Sequence, residues 1–229
     1  MPNSPDATTA VRVWDLPTRA FHWLLAAAVI GLVVTGKVGG GAMVWHFRFG
    51  YLVLGLLLFR VVWGLVGGHW SRFVRFAYGP GALLRYLRSQ SRPDEHHDVG
   101  HSPTGALSVF ALLLLLAVQV GTGLVADDEI ANVGPLNRFV SSATAGSATA
   151  WHKDYGQYLL IALVVLHVAA IAFYRLAKGR NLVGPMITGD KALPAGTPAA
   201  RDGGASRLLA LVLAAACAAV VTWVVRQGG

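Results

Sequence analysis

Four histidines stand where an ionisable side chain needs a reason to be. His152 and His167 share one hydrophobic run, WHKDYGQYLLIALVVLH; His22 opens RAFHWLLAAAVIGLVVTG, and His46 opens WHFRFGYLVLGLLLFRVVWG. Stranding such a group in hydrocarbon costs a few kcal/mol or more, so intramembrane histidines default to a functional reading. Four imidazoles can form two opposed pairs, which is the ligand set of two six-coordinate b-type haems. Taken singly, His46 or His152 at a helix end has an equally good account as a residue of the headgroup interface. His22 and His167 lie inside apolar runs, where that account is weaker. His101, in GHSP before the third run, is a reserve ligand; His69, His96 and His97 sit at a helix exit or in polar sequence and read as solvated.

The elements that must position these residues are visible in the composition. Apolar residues make up 55% of the 229 and charged residues 13%. Five stretches approach the ~20 residues that cross a ~30 Å hydrocarbon core; they lie near 18–36, 46–66, 104–126, 151–175 and 207–225. The polar MPNSPDATTA leads into the first span with no basic n-region or cleavage site, so that helix is expected to be retained. The expected fold is an all-α membrane protein. A four-helix transmembrane bundle over 18–175 holds two haems, and a fifth C-terminal transmembrane helix covers 207–225. Residues 1–17 form a cytoplasmic N-terminal segment, and 176–206, rich in Gly, Pro and Ala, a cytoplasmic linker. PGALLRYLRS is expected as a short amphipathic surface helix.

The net charge of +8 is a topology signal rather than a nucleic-acid signal. Thirteen basic residues, from Arg12 and Arg19 through Arg72–Arg92 to Arg175–Arg207, fall on one side of the spans. Five, namely Lys37, Arg48, Arg138, Lys153 and Arg226, fall on the other. The positive-inside rule then places the N-terminus in the cytoplasm and the C-terminus outside. Depth follows: His22 and His167 belong to the inner half, His46 and His152 to the outer ends. His152 and His167 are fifteen residues apart, ~22 Å along an α-helix at ~1.5 Å per residue. They are ~60° apart around its axis at ~100° per residue.

Cations near the histidines are candidates for haem carboxylates, since a guanidinium binds them bidentately. Arg19 precedes His22 by three residues, Arg48 follows His46 by two, and Lys153 adjoins His152. Lipid headgroup contact by snorkelling is the competing account for all three. Arg60, inside the second span, is expected to point inward, toward a haem or a quinone pocket. Glycines such as Gly31, Gly36, Gly50 and Gly123 let helices or a flat macrocycle approach, and Trp23, Trp45, Trp63, Trp70, Trp151 and Trp223 lie near span ends as an interfacial belt.

VWDLPTRAFHW followed by TG, WHFRFGY with FRVVWG, GHSPTGALSV with QVGTG, WHKDYG with a later LH, and NLVGPMITGDK together resemble the bacterial cytochrome b561 and nickel-iron hydrogenase cytochrome b group, over about residues 11–192. Members are integral membrane dihaem cytochromes that pass electrons between a redox partner and the quinone pool. The resemblance implies axial-ligand roles for His22, His46, His152 and His167, two noncovalent haem b groups and a quinone substrate. It supplies no role for the fifth span.

Cys217 is the single cysteine, so neither covalent haem attachment nor an iron–sulfur cluster is encoded; it reads as a packing residue. The function expected is electron transfer in a bacterial inner membrane, with a periplasmic cytochrome c, dehydrogenase or hydrogenase subunit as partner. A homodimer through the fifth helix is an additional expectation. A basic cytochrome c would suit Asp127, Asp128 and Glu129. Two other readings are open: a stand-alone superoxide:quinone oxidoreductase, and a haem-free membrane anchor.

Overall fold

The computed structural model describes residues 8–90 and 99–228; His96 and His97 fall outside them. In chain order the elements are β1 (Thr8–Arg12), α1 (Leu16–Val38), α2 (Met43–Val66), α3 (Pro80–Leu87), α4 (Pro103–Val125), α5 (Ser142–Ala150), a π-helical segment (Trp151–Gly156), α6 (Gln157–Ala177), α7 (Val183–Thr188), β2 (Asp190–Pro194) and α8 (Gly204–Val225). Five helical stretches among the described residues are long and apolar enough to span a membrane, close to the expected positions. The fourth starts earlier than expected, at Ser142, because the Ser141 hydroxyl caps α5 by accepting the Thr144 N–H at 3.2 Å. The amphipathic segment forms α3, with Pro80 at its first position. Many large apolar side chains on the long helices face outward, Leu65, Leu114 and Leu211 among them, as lipid requires.

The described chain forms two compact units. One holds residues up to Ala20 and those within Val61–Phe110 and His167–Ala210; the other holds Phe21–Arg60, Ala111–Leu166 and Leu211–Gly229.

In the first unit the start of α1 is fully accounted for, which a helix end must be when it is buried. The Leu16 N–H donates to Asp202 at 3.0 Å. Pro17 has no N–H to satisfy. The Thr18 N–H donates to Asp15 Oδ1 at 2.8 Å, and the Arg19 N–H donates to the Asp15 carbonyl at 3.2 Å. Asp15 is fully buried and also accepts from Trp63 Nε1 at 3.1 Å and Ser71 Oγ at 2.6 Å. Trp63 is therefore an interior clamp and not a member of the interfacial belt. Gly68 lies against the Asp15 carboxyl, where a Cβ would collide with it.

Residues 176–206 carry α7 and β2, and β2 pairs antiparallel with β1 from Thr8↔Pro194 to Arg12↔Asp190. Arg12 bridges Asp190 at 2.7 Å and Asp202 at 2.8 Å. The segment before α8 is thus tied by charge and by a sheet to the segment before α1. His101 is in ring contact with Trp14 at 4.7 Å and Phe76 at 4.4 Å, which is a packing role.

In the second unit, α1, α2, α4 and α6 share one core of Ala28, Val29, Val53, Leu57, Leu116 and Leu160. Gly31 lets the Phe49 ring lie against α1, since a Cβ there would stand 2.7 Å from it. On the part of α8 in this unit, Cys217 and Val224 are the buried positions, a seven-residue spacing that marks one face. Val221, near that face, approaches Gly55 of α2.

The loop after α4 is folded by its own acids. Asp128 accepts the N–H groups of Ile130, Ala131 and Asn132 at 2.9–3.0 Å and the Asn132 side chain at 2.6 Å. The Asn132 amide, followed by those backbone donors, holds the Asp128 carboxyl well below the usual carboxylate range. A depressed folded value stabilises the loop above the unfolded value of about 3.9 and loses that contribution as pH falls through the folded value. The hydrogen-exchange protection factors of residues 127–133, taken relative to the intrinsic rate at each pH, are therefore expected to stay constant from pH 8 to 5 and to fall only well below pH 4, while Asp128→Ala gives low protection throughout. Equal protection in the variant would refute the assignment.

Candidate functional site

His46 occupies the first turn of α2, and the chain reaches it through a tight turn in which Gly39 and Gly40 adopt φ +67° and +52°, a conformation glycine reaches without penalty. This return brings His46 Nδ1 to 3.0 Å from the Leu32 carbonyl of α1. His152 lies in the π-helical segment Trp151–Gly156, a wider turn frequent at functional sites. Its Nδ1 is 2.9 Å from the Gln119 carbonyl of α4. A carbonyl only accepts, so each Nδ1 carries the proton and each Nε2 keeps its lone pair. That is how ligand imidazoles are fixed in tautomer and orientation. The two rings have centroids 6.0 Å apart and planes at 82°.

Both histidines line a cavity of about 500 Å³, within the ~300–1,000 Å³ range of ligand pockets. Its walls are shaped for something bulky. A Cβ on Gly36 would sit 3.1 Å from His46 Cε1, and one on Gly123 2.9 Å from His152 Cε1, so glycine alone lets each ring seat against the neighbouring helix. Gly50, also in the lining, has nothing within 4 Å of its Cβ position. The polar part of the lining holds the cations Lys37 and Lys153, the acids Asp128 and Asp154, and neutral groups including Gln119 and Tyr158, with Lys37 Nζ 4.9 Å from the Tyr158 ring centroid. Two lone-pair nitrogens over an open apolar slot with cations at its edge fit a haem and its carboxylates.

The remaining sequence-derived candidates are distributed as follows. Lys153 is exposed and lines the cavity. Arg48 is exposed and lies against the Trp45 ring at 4.7 Å, outside the cavity lining. Arg19 belongs to the first unit, where its guanidinium donates to the Ile187 carbonyl and lies 3.9 Å from Asp202. Those groups take up the charge that sequence spacing assigned to a haem carboxylate. Arg60 is 3% exposed on α2. His22 is half-buried, with Trp23 edge-on at 5.0 Å, and His167 is half-buried on α6 in the first unit. The π-helical turn also means that an ideal 100° step does not carry the angle from His152 along α6.

Of the residues beneath the imidazoles, sequence reasoning named Gly36 and Gly123 and missed the others. Leu32, Thr35 and Gly36 in LVVTG face His46, and Gln119, Thr122 and Gly123 in QVGTG face His152. Gln119 also donates its side-chain amide to the His152 carbonyl at 2.8 Å, in space that exists only because residue 156 is glycine. The signal was the Thr-Gly pair in the last turn of α1 and of α4, Thr35-Gly36 and Thr122-Gly123, although the same pair also occurs at Thr104-Gly105 and Thr188-Gly189.

The profile of the family described as prokaryotic cytochrome b561 matches residues 13–189. A probable Ni/Fe-hydrogenase B-type cytochrome subunit of Azotobacter chroococcum is 27% identical over 219 residues, covering 79% of this chain and 88% of its own. A probable Ni/Fe-hydrogenase 1 B-type cytochrome subunit of Escherichia coli K12 is 26% identical, covering 82% and 94%. The counterpart in Cupriavidus necator is 25% identical, covering 79% and 86%. No solved structure matches the chain. The family match takes in all four histidines and four of the five apolar spans, so this multi-pass membrane protein is a b-type cytochrome and belongs to the prokaryotic cytochrome b561 family.

Proposed function

We propose that the chain is the dihaem membrane subunit of a redox system, carrying electrons between an external redox enzyme and the quinone pool. The observation that carries this is the opposed His46 and His152 pair above its cavity, each Nδ1 held by a carbonyl of the facing helix. In this reading His46 and His152 hold the outer haem b, with Lys37 and Lys153 available to its carboxylates. His22 and His167 hold the inner one, a pairing that rests on sequence depth and the family resemblance. Haem iron with two imidazole ligands supplies one-electron chemistry with no open axial position. The protein's own part is to hold the Nε2 lone pairs inward, exclude water with the core of α1, α2, α4 and α6, and set the field with buried Arg60. By orientation the N-terminus is cytoplasmic and the C-terminus periplasmic, in the inner membrane.

The relatives bear the name of a hydrogenase cytochrome subunit, which supports a hydrogenase-like partner over cytochrome c. The bonds from its own loop keep Asp128 ionised, so the acidic loop retains its charge toward a basic partner as well. On α8 the outward Ala214, Ala215, Ala216, Ala218 and Ala219 are the surface for a partner helix or a second copy. A pyridine haemochrome assay of protein purified in mild detergent should return about two haem b per chain, together with a co-purifying redox subunit. One haem per chain, or none, would defeat the dihaem reading; an isolated chain active on its own would defeat the subunit reading.

A further inference from the structure

The two imidazoles of the outer pair are held by one device used twice. In α1, LVVTG, and in α4, QVGTG, the first residue offers its carbonyl to the histidine. The fourth is a threonine, and the fifth is a glycine against the ring. The connections differ in length, eleven residues from Thr35 to His46 and thirty from Thr122 to His152, yet the contacts coincide. Each threonine hydroxyl shares its single proton between two carbonyls of its own helix: Thr35 Oγ1 donates chiefly to Gly31 O at 2.6 Å and secondarily to Leu32 O at 3.3 Å, and Thr122 Oγ1 almost equally to Val118 O at 2.9 Å and Gln119 O at 3.0 Å. Leu32 O and Gln119 O are also the acceptors for the imidazole N–H groups. The hydroxyl oxygens themselves stand 3.5 and 3.4 Å from the Nδ1 atoms, at the limit of hydrogen bonding. The carbonyl is therefore the main partner of each ring, and the hydroxyl competes for it.

We infer that Thr35 and Thr122 are paired positioning residues that set the electron donation of His46 and His152 by drawing on the carbonyls those imidazoles use. A carbonyl shared with a hydroxyl accepts less strongly from Nδ1–H. The imidazole is then less anionic and a weaker donor to the iron, which favours the reduced state. Removing the hydroxyl strengthens the Nδ1–H bond, raises ligand basicity and favours the oxidised state. The effect is graded: Thr122 reaches the shared carbonyl at 3.0 Å and Thr35 only at 3.3 Å, so Thr122 carries the larger share. This rests on the assignment of His46 and His152 as ligands of one haem.

The test is a redox titration of full-length protein in detergent, following each haem by its visible α-band. Thr122→Val should lower the midpoint potential of one haem and leave the other unchanged. Thr35→Val should lower the same haem by less, and Thr→Ser at either position should restore the original value. If the valine variants lose haem, the alanine variants are titrated, with the same direction expected. An unchanged or raised potential, a shift in both haems, or no rescue by serine would overturn the inference. Loss of haem in the serine variants would also overturn it, because the hydroxyls would then be props of the pocket. Failure of the ligand assignment is distinguishable: His46→Ala and His152→Ala would then keep both haems, whatever the threonine variants do.

Discussion

Alanine at position 46 or 152 is expected to lower the haem content from about two per chain to about one, with the same haem missing in both variants. The reason is geometric. The two rings stand 6.0 Å apart across one cavity and are oriented by separate helices, so in the proposed reading each supplies one of the two nitrogens that hold that haem. His101, the reserve ligand, is itself packed against Trp14 and Phe76. Alanine at 22 or 167 is expected to remove the second haem and spare the first. Low-temperature difference spectra and potentiometry on the four variants would separate the two groups. If the 46 and 152 variants lose different haems, the pairing is wrong; if all four lose both, the haems share a pocket or the bundle collapses without either. Retained near-full helicity by circular dichroism distinguishes collapse from ligand loss.

Asp15→Ala is expected to be the most damaging substitution away from the histidines, lowering stability by about 3 kcal/mol or more. Loss of a helix N-cap accounts for ~1 kcal/mol. Trp63 Nε1 and Ser71 Oγ, left without their acceptor in a dry interior, add ~1 kcal/mol or more each. Asp15 and Ser71 have no solvent exposure at all, so water cannot take the place of the lost carboxyl. Asp15→Asn, which keeps one acceptor oxygen, should fall between. Thermal unfolding in detergent, followed by near-ultraviolet circular dichroism, would measure the order wild type, Asn, Ala. A midpoint for Asp15→Ala equal to wild type would show that the cluster does not hold the start of α1.

Membrane spans, their number and the candidate ligands follow from one-dimensional information. A long apolar run has to be a helix in lipid, because every backbone group must be satisfied within it, and a histidine in such a run is conspicuous for the same reason. Hydrogen-bond partners are not one-dimensional. Arg19 is three residues from His22 in sequence, but its guanidinium lies against the Ile187 carbonyl and Asp202, which come from chain more than 160 residues away. Trp63 looks like an interface residue by position and is instead enclosed by a buried carboxyl. The Gly, Pro and Ala of 176–206 read as linker because local propensity is weak there; strand pairing with β1 and the Arg12 ion pairs supply order from outside the segment.

The sequence alone therefore determined that this protein has five helices long and apolar enough to cross a membrane, which histidines lie in or beside them, and which family its motifs belong to. These are properties of single runs and of residue identity. Only the tertiary structure decided how His46 and His152 are held. Their tautomer depends on the carbonyls of Leu32 and Gln119, their seating on the absence of side chains at Gly36 and Gly123, and their approach on the turn at Gly39–Gly40 and the π-helical segment at Trp151–Gly156. A backbone carbonyl is present at every position of every helix, so nothing in the residue types marks the two that face an imidazole; that choice is made by how the helices pack.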